Sequence, residues 1–151
     1  MNTIEFRVVP HQGVDVIDIV VDGAHLLDLV REAELPHARQ EQRERAAEFA
    51  PDPAPLLAGD YTCLSRGYGW PDRHLLTDSP ETMLLTCTCG IDECWPLMAR
   101  VQVTGSLVRW SEFHNPYRDW DLSGVGPFTF SRTRYERALR RTGAPGREPG
   151  A

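Results

Sequence analysis

Leu97-Met98-Ala99-Arg100-Val101-Gln102-Val103-Thr104-Gly105-Ser106-Leu107-Val108-Arg109-Trp110 is the stretch that decides the fold. Leu97, Ala99, Val101 and Val103 alternate with Met98, Arg100 and Gln102, which is the period of a strand with one apolar face. Thr104-Gly105-Ser106 is a tight-turn signal, and Leu107 to Trp110 returns as the next strand. Upstream, Met83 to Cys89 is a third strand candidate, and Gly90-Ile91-Asp92-Glu93 turns the chain after it. The spacing predicts an antiparallel meander over 83–89, 95–103 and 107–112. Trp95 and Trp110 then belong to the core, while Trp120 lies in a loop nearer the surface.

The flanks extend this unit. Ile4, Phe6 and Val8 alternate with Glu5 and Arg7, Pro10-His11-Gln12-Gly13 turns, and 14–21 is rich in Val and Ile, so the N-terminus reads as a hairpin. Asp22-Gly23 ends it. Leu26, Leu27, Leu29 and Val30 give a short amphipathic helix over 24–33 that Pro36 closes. Residues 37–50 read as a solvated helix or a connector, and Pro51, Pro53 and Pro55 as an extended stop. The 56–78 stretch mixes Leu, Gly and aromatics and reads as a strand followed by a long loop. Phe128 and Phe130 resume alternation, Ser131 is an N-cap signal, and Tyr135, Ala138 and Leu139 form the apolar stripe of a last helix near 132–142. The expectation is an α+β fold with a largely antiparallel sheet and two or three helices. One domain is expected over 1–143, with a disordered Pro/Gly tail over 144–151.

Composition narrows the function. The chain has 151 residues, 22 acidic against 16 basic, and a formal charge of −6. Binding of nucleic acid through overall charge is disfavoured. Every basic residue is Arg, so neither a Schiff-base lysine nor a P-loop lysine is available. Residues 1–75 hold 13 acids and 7 Arg, whereas 76–151 hold 9 of each, so the first half carries the net charge. No run of about 20 apolar residues suggests a membrane span, and no leader pattern is present. The chain reads as cytoplasmic, with cysteines that are reduced or metal-bound.

Cys87-Thr88-Cys89-Gly90-Ile91-Asp92-Glu93-Cys94 is the most informative motif. Residues two apart on a strand share a face, and Gly90 permits a return, so Cys87, Cys89 and Cys94 can aim at one point. Three readings stay open: buried core thiols, a structural zinc site, or a disulfide or redox group. The C-x-C-x4-C spacing resembles the zinc knuckle that follows the catalytic domain of SET-type lysine methyltransferases. That resemblance implies zinc competence, with a fourth ligand from Cys63 or His114. It covers only 87–94 and brings no methyltransferase activity. A broader resemblance rests on the C-x-C-G-x3-C-W-P-L block, Val108-x-Trp110-x-x-Phe113, Gly126-Pro127-Phe128 and Arg134-Tyr135-Glu136. On these residues the chain is similar to a group of small proteins of GC-rich bacteria with no established activity. It implies a single-domain intracellular protein and no catalytic residues.

The segment 110–120 is the other candidate site. His114, Tyr117, Arg118 and Trp120 gather aromatics and charge on a loop after a strand, where binding residues concentrate. His114 with Glu112 or Asp119 is a possible base, and Arg118 an anion clamp; the alternative is aromatics covering a sheet edge and Arg118 paired locally. The G-x-S-x-G elbow is absent, and Gly124-Val125-Gly126 runs into Pro127 instead of a helix, so a serine hydrolase and a dinucleotide site are both disfavoured. Arg132, Arg134, Arg137, Arg140 and Arg141 make the last helix basic, able to grip phosphate or an acidic partner, or simply solvated. The leading expectation is a module that binds another protein, with no membrane partner and homo-oligomerisation open. The alternatives are a module with structural zinc and an enzyme built on His114 and nearby carboxylates.

Overall fold

The structure, a computed structural model, describes residues 1–65, 74–87 and 95–142. Among the described residues, eight strands form one antiparallel sheet: β1 (Ile4–His11), β2 (Val14–Val21), β3 (Ala24–His25), β4 (Tyr61–Ser65), β5 (Ser79–Cys87), β6 (Leu97–Val103), β7 (Leu107–His114) and β8 (Phe128–Ser131). Their order is β1-β2-β4-β5-β6-β7-β8, with the short β3 also on β2. The helices among the described residues are α1 (Leu26–Glu44), α2 (Ala46–Phe49) and α3 (Arg132–Arg140). The fold is α+β, and the meander stands as β5–β7, its first strand beginning earlier than alternation suggested. The 144–151 tail lies outside the described residues.

Two-residue turns set the N-terminal register. Gln12-Gly13 and Asp22-Gly23 all have positive φ (50°, 82°, 51° and 81°), the primed-turn conformation whose twist matches paired strands. The first turn joins His11 to Val14 and the second joins Val21 to Ala24. The sheet then curls until its edges meet. The Asn2 backbone N–H donates to the Thr129 carbonyl at 2.8 Å, and the Thr129 N–H donates to the Asn2 side-chain oxygen at 2.8 Å. Phe6 of β1 therefore lies only 6.4 Å from the Trp110 ring of β7.

Alternation divides the side chains between two faces. Phe6, paired with Ile19, packs edge-on against Tyr135 of α3 at 5.4 Å, while Trp110 and Phe130 close the same cluster. The Trp110 indole N–H donates to the Tyr135 hydroxyl, which donates to the Leu75 carbonyl at 2.7 Å, so the buried polar atoms are satisfied. On the other face, Tyr61 and Ser65 stand with Val16, and α1 packs there. The central β5 is covered on both sides and buried from Thr82 to Cys87. A bulge in β7 adjusts its parity: Met98 faces His114 but Arg100 faces Ser111, and Glu112 takes φ 54° between them. The extra residue turns Phe113 and Asn115 inward after Val108 and Trp110.

Two expectations are corrected. Pro36 does not close the first helix, because α1 runs through it to Glu44. Proline removes one backbone donor, yet tertiary anchors hold both halves: Glu34 before it, and His37, Glu41 and Gln42 after it. Trp95 is half-buried, like Trp120, and only Trp110 of the three is fully buried. Ser131 does cap α3, accepting from the Arg134 N–H at 3.4 Å.

Candidate functional site

Among the described residues, the ladder between β2 and β4 contains two residue pairs, Val16–Ser65 and Ile17–Leu64. Beyond them the strands part. β2 gives its edge to β3 through Val20–His25 and Val21–Ala24, while β4 follows β5 from Cys63–Leu85 to Tyr61–Cys87. A cleft of about 660 Å³ opens at this split. That is the size of a small-molecule or side-chain pocket. Val9, Pro10, Val14 and Val16 of the first hairpin make one wall, and Leu27 of α1 contributes to the lining. Val14 is 51% exposed, so the hairpin tip presents apolar surface to water.

Polar groups stand at defined places in this cleft. Asp18 lines it and binds the His25 ring at 2.9 Å, and that hydrogen bond holds His25 above its ordinary pKa. Cys63 faces the same space. Burial, and then the Asp18 charge, push its thiol up to about 11, so it is a neutral thiol at physiological pH and a poor nucleophile. Thr86 also lines the cleft. Its residue is 4% exposed and its hydroxyl has no hydrogen-bond partner among the described residues. A buried hydroxyl without a partner is uncommon and costs about 1–3 kcal/mol.

A second polar cluster lies under α1. Glu34 is 1% exposed; its carboxylate accepts from the Gly59 N–H at 2.8 Å and the Tyr61 hydroxyl at 2.6 Å. Asn115 donates to the same Tyr61 oxygen at 3.1 Å and accepts from the Tyr117 N–H at 2.9 Å. Burial pushes the Glu34 carboxyl up, opposed by these hydrogen bonds and by Arg118. Burial and the neighbouring Glu34 likewise push the Tyr61 phenol up. Beside this chain, the Arg118 guanidinium lies between two indoles, 4.3 Å from the Trp95 ring and 4.1 Å from the Trp120 ring, and ion-pairs with Glu41. His37 stacks on Trp120 at 5.9 Å. The 115–122 loop is thereby fastened to α1.

The candidate binding residues therefore separate. Arg118 and Trp120 come together, but both faces of the guanidinium are covered and its charge is met by Glu41, so its partner is neither Asp119 nor Asp121. Tyr117 is 60% exposed next to them. His114 is elsewhere: its ring contacts Glu81 at 3.0 Å and the Glu112 carbonyl at 2.7 Å, so the carboxylate beside it is neither that of Glu112 nor that of Asp119. Of the metal candidates, Cys89 and Cys94 lie outside the described residues. Cys63 and Cys87 are diagonal neighbours on one face of the β4–β5 ladder. Among the described residues no three His, Cys, Asp or Glu side chains gather as metal ligands. Glu34, Glu41, Tyr61, Thr86 and Asn115 were not evident in the sequence, since no local motif marks a contact between α1, β4, β5 and a distant loop. No helix of the described residues is long and apolar enough to cross a membrane. No family model, curated protein or solved structure matches the chain.

Proposed function

We propose that the protein is a non-catalytic module that binds a partner protein, taking an aromatic side chain of that partner into the cleft between β2 and β4. The observation that carries this reading is the Thr86 hydroxyl, buried without a partner among the described residues, in the lining of a cleft that Val9, Pro10, Val14, Val16 and Leu27 share with Asp18, Thr62 and Ser65. An aromatic body with a polar tip matches a cleft whose lining mixes apolar side chains with hydroxyls. The exposed Val14 at the rim supplies the apolar surround from which water is excluded when a partner seats. An enzyme built on His114 has less support, because His114 does not line this cleft and the thiol that does is protonated.

The test uses p-cresol as a stand-in for a tyrosine side chain. Its binding should shift the NMR signals of Val16 and Leu27. Thr86→Val should weaken that binding while leaving the free protein as stable or more stable, because the substitution removes a buried hydroxyl that has no partner. Val14→Asp, at an exposed position, should abolish retention of partner proteins that wild-type resin retains. Cresol shifts confined to the neighbourhood of Tyr117, or equal binding by Thr86→Val, would sink the proposal.

A structural zinc site built on Cys87, Cys89 and Cys94, with Cys63 as the fourth ligand, is a second and compatible proposal. The shared face of Cys63 and Cys87 supports it. Coordination would have to displace the Cys63 proton, so affinity should fall in acid. Zinc counting and chelation, set out below, test it.

A further inference from the structure

The last helix and its C-terminal cap residue, Arg141, together carry five arginines, and they divide into two groups. Arg132 and Arg140 flank Glu136 at four-residue spacing, with contacts of 2.8 and 3.8 Å to its carboxylate. Arg134, Arg137 and Arg141 follow one another at spacings of three and four, which places them on one stripe of the helix. They are exposed, and none has an ion pair among the described residues. All three line a cavity of about 250 Å³ between α3 and the N-terminal strand. The apolar part of its lining is Ile4, Val20, Phe130 and Ala138. The single acid in that lining, Glu5, is engaged by Arg7 at 2.8 Å.

We infer that this cavity binds a small phosphorylated molecule with an apolar body. Three guanidinium groups over about 10 Å of helix offer planar forks suited to phosphate oxygens. Their charge is not answered from the strand opposite, since Glu5 is already paired and Asp22, next to the lining residue Gly23, accepts from Asn2 and Thr3. The apolar lining favours a ligand with a ring or short chain over bare phosphate. A volume of about 250 Å³ suits a molecule of that size better than an extended acidic peptide. This site uses neither the cleft between β2 and β4 nor any residue proposed there, so the two readings stand or fall separately.

Phenyl phosphate is the probe, with inorganic phosphate and phenol as comparisons, followed by titration calorimetry and by NMR of the arginine side chains. Phenyl phosphate should bind roughly tenfold more tightly than inorganic phosphate, and phenol should not bind, since the charge-assisted forks anchor the ligand. Added salt should weaken binding. Arg134→Gln with Arg137→Gln should reduce affinity at least about tenfold, and Arg137→Lys by a smaller factor because it keeps the charge and loses the fork. Arg132→Gln with Arg140→Gln should leave affinity unchanged. All these side chains are on the surface, and a circular dichroism spectrum checks that each variant is folded. Absence of saturation by about 10 mM phenyl phosphate, which corresponds to a free energy weaker than about 3 kcal/mol, would overturn the inference. So would equal losses in the two double variants, or a hexaglutamate peptide that binds where phenyl phosphate does not.

Discussion

Arg118 should be among the most costly single positions outside the core, and the structure allows the cost to be worked out. Its side chain is 9% exposed, and Arg118→Leu would remove three interactions at once. Each cation–π contact contributes about 0.5–2 kcal/mol, the upper part applying when the cation is desolvated, as here. Breaking a buried ion pair costs about 3–5 kcal/mol, chiefly because the remaining charge is stranded. Glu41 keeps 28% of its side-chain surface in water, which lowers that contribution. Leucine also returns some packing, and it removes the guanidinium Nε, which is buried without a partner among the described residues. The balance is a loss of about 3–5 kcal/mol, out of a typical total of 5–15 kcal/mol. For a chain of this length that is a fall in Tm of roughly 6–20 °C.

Urea unfolding followed by tryptophan fluorescence is the assay, since Trp95 and Trp120 flank the replaced group. Glu41→Gln should cost less, about 1–2 kcal/mol, because the amide oxygen still accepts from Arg118. The double variant should be less destabilised than the sum of the two singles, by about 1–3 kcal/mol, as expected for residues in direct contact. A loss under about 1 kcal/mol for Arg118→Leu, or strict additivity, would mean that the stack is only surface decoration and that the loop does not hold α1.

Three further outcomes follow from the same geometry. Because the folded-state pKa of Glu34 is raised, its contribution favours folding below about 4.5, the ordinary carboxyl range, and is lost as pH rises through the raised value. Glu34→Gln should therefore flatten that limb of the stability–pH curve, and an unchanged curve would show that the carboxyl is not desolvated. Tyr135→Phe should cost about 1–3 kcal/mol in chemical denaturation, because the Leu75 carbonyl and the Trp110 indole N–H both lose their partner in the core; a neutral result would require water to replace the hydroxyl. If the zinc proposal holds, protein purified without a tag should contain one zinc per chain and lose stability on chelation, and Cys63→Ser should lower the metal content. A metal-free preparation with the same Tm before and after chelator would reject it.

The strands were legible where alternation ran undisturbed, as in 4–9, 97–103 and 107–110, because one buried face imposes a period of two on the sequence, and at 14–21 through its Val and Ile content. Legibility failed where the cause was distant. Pro36 looks like a stop when only its ring and missing donor are considered. The helix continues because Glu34 meets Tyr61 and Gly59, and Glu41 meets Arg118, contacts separated by 25 to 77 residues. The buried run of β5 from Thr82 to Cys87 shows little alternation because both of its faces are covered, and Pro80 and Glu81 at its start are exposed, so no periodic trace marks it. The candidate loop was half legible. Arg118 and Trp120 do act together, but the sequence could not indicate that Trp95 and Glu41 would complete the stack. The cleft was not legible at all, since it arises where the ladder ends at Ile17–Leu64, and no residue type marks where strands part.

The loop fastened to α1 and the cleft are joined by that one helix. Leu27, in the cleft lining, sits near the start of α1, whereas the groups that hold α1 in place, Glu34 and Glu41, lie two and four turns further along the same helix. A helix transmits displacement along its axis, because its backbone hydrogen bonds keep the rise per residue fixed. Loosening the far anchor should therefore move the cleft floor, even though no residue of the stack touches it. Arg118→Leu, studied at a temperature where it remains folded, should weaken p-cresol binding in the cleft, whereas Tyr117→Ala, exposed on the same loop, should not. Equal cresol affinity in wild type and Arg118→Leu would mean that the packing of Leu26 and Val30 alone positions Leu27, and that the aromatic stack serves stability without shaping the site.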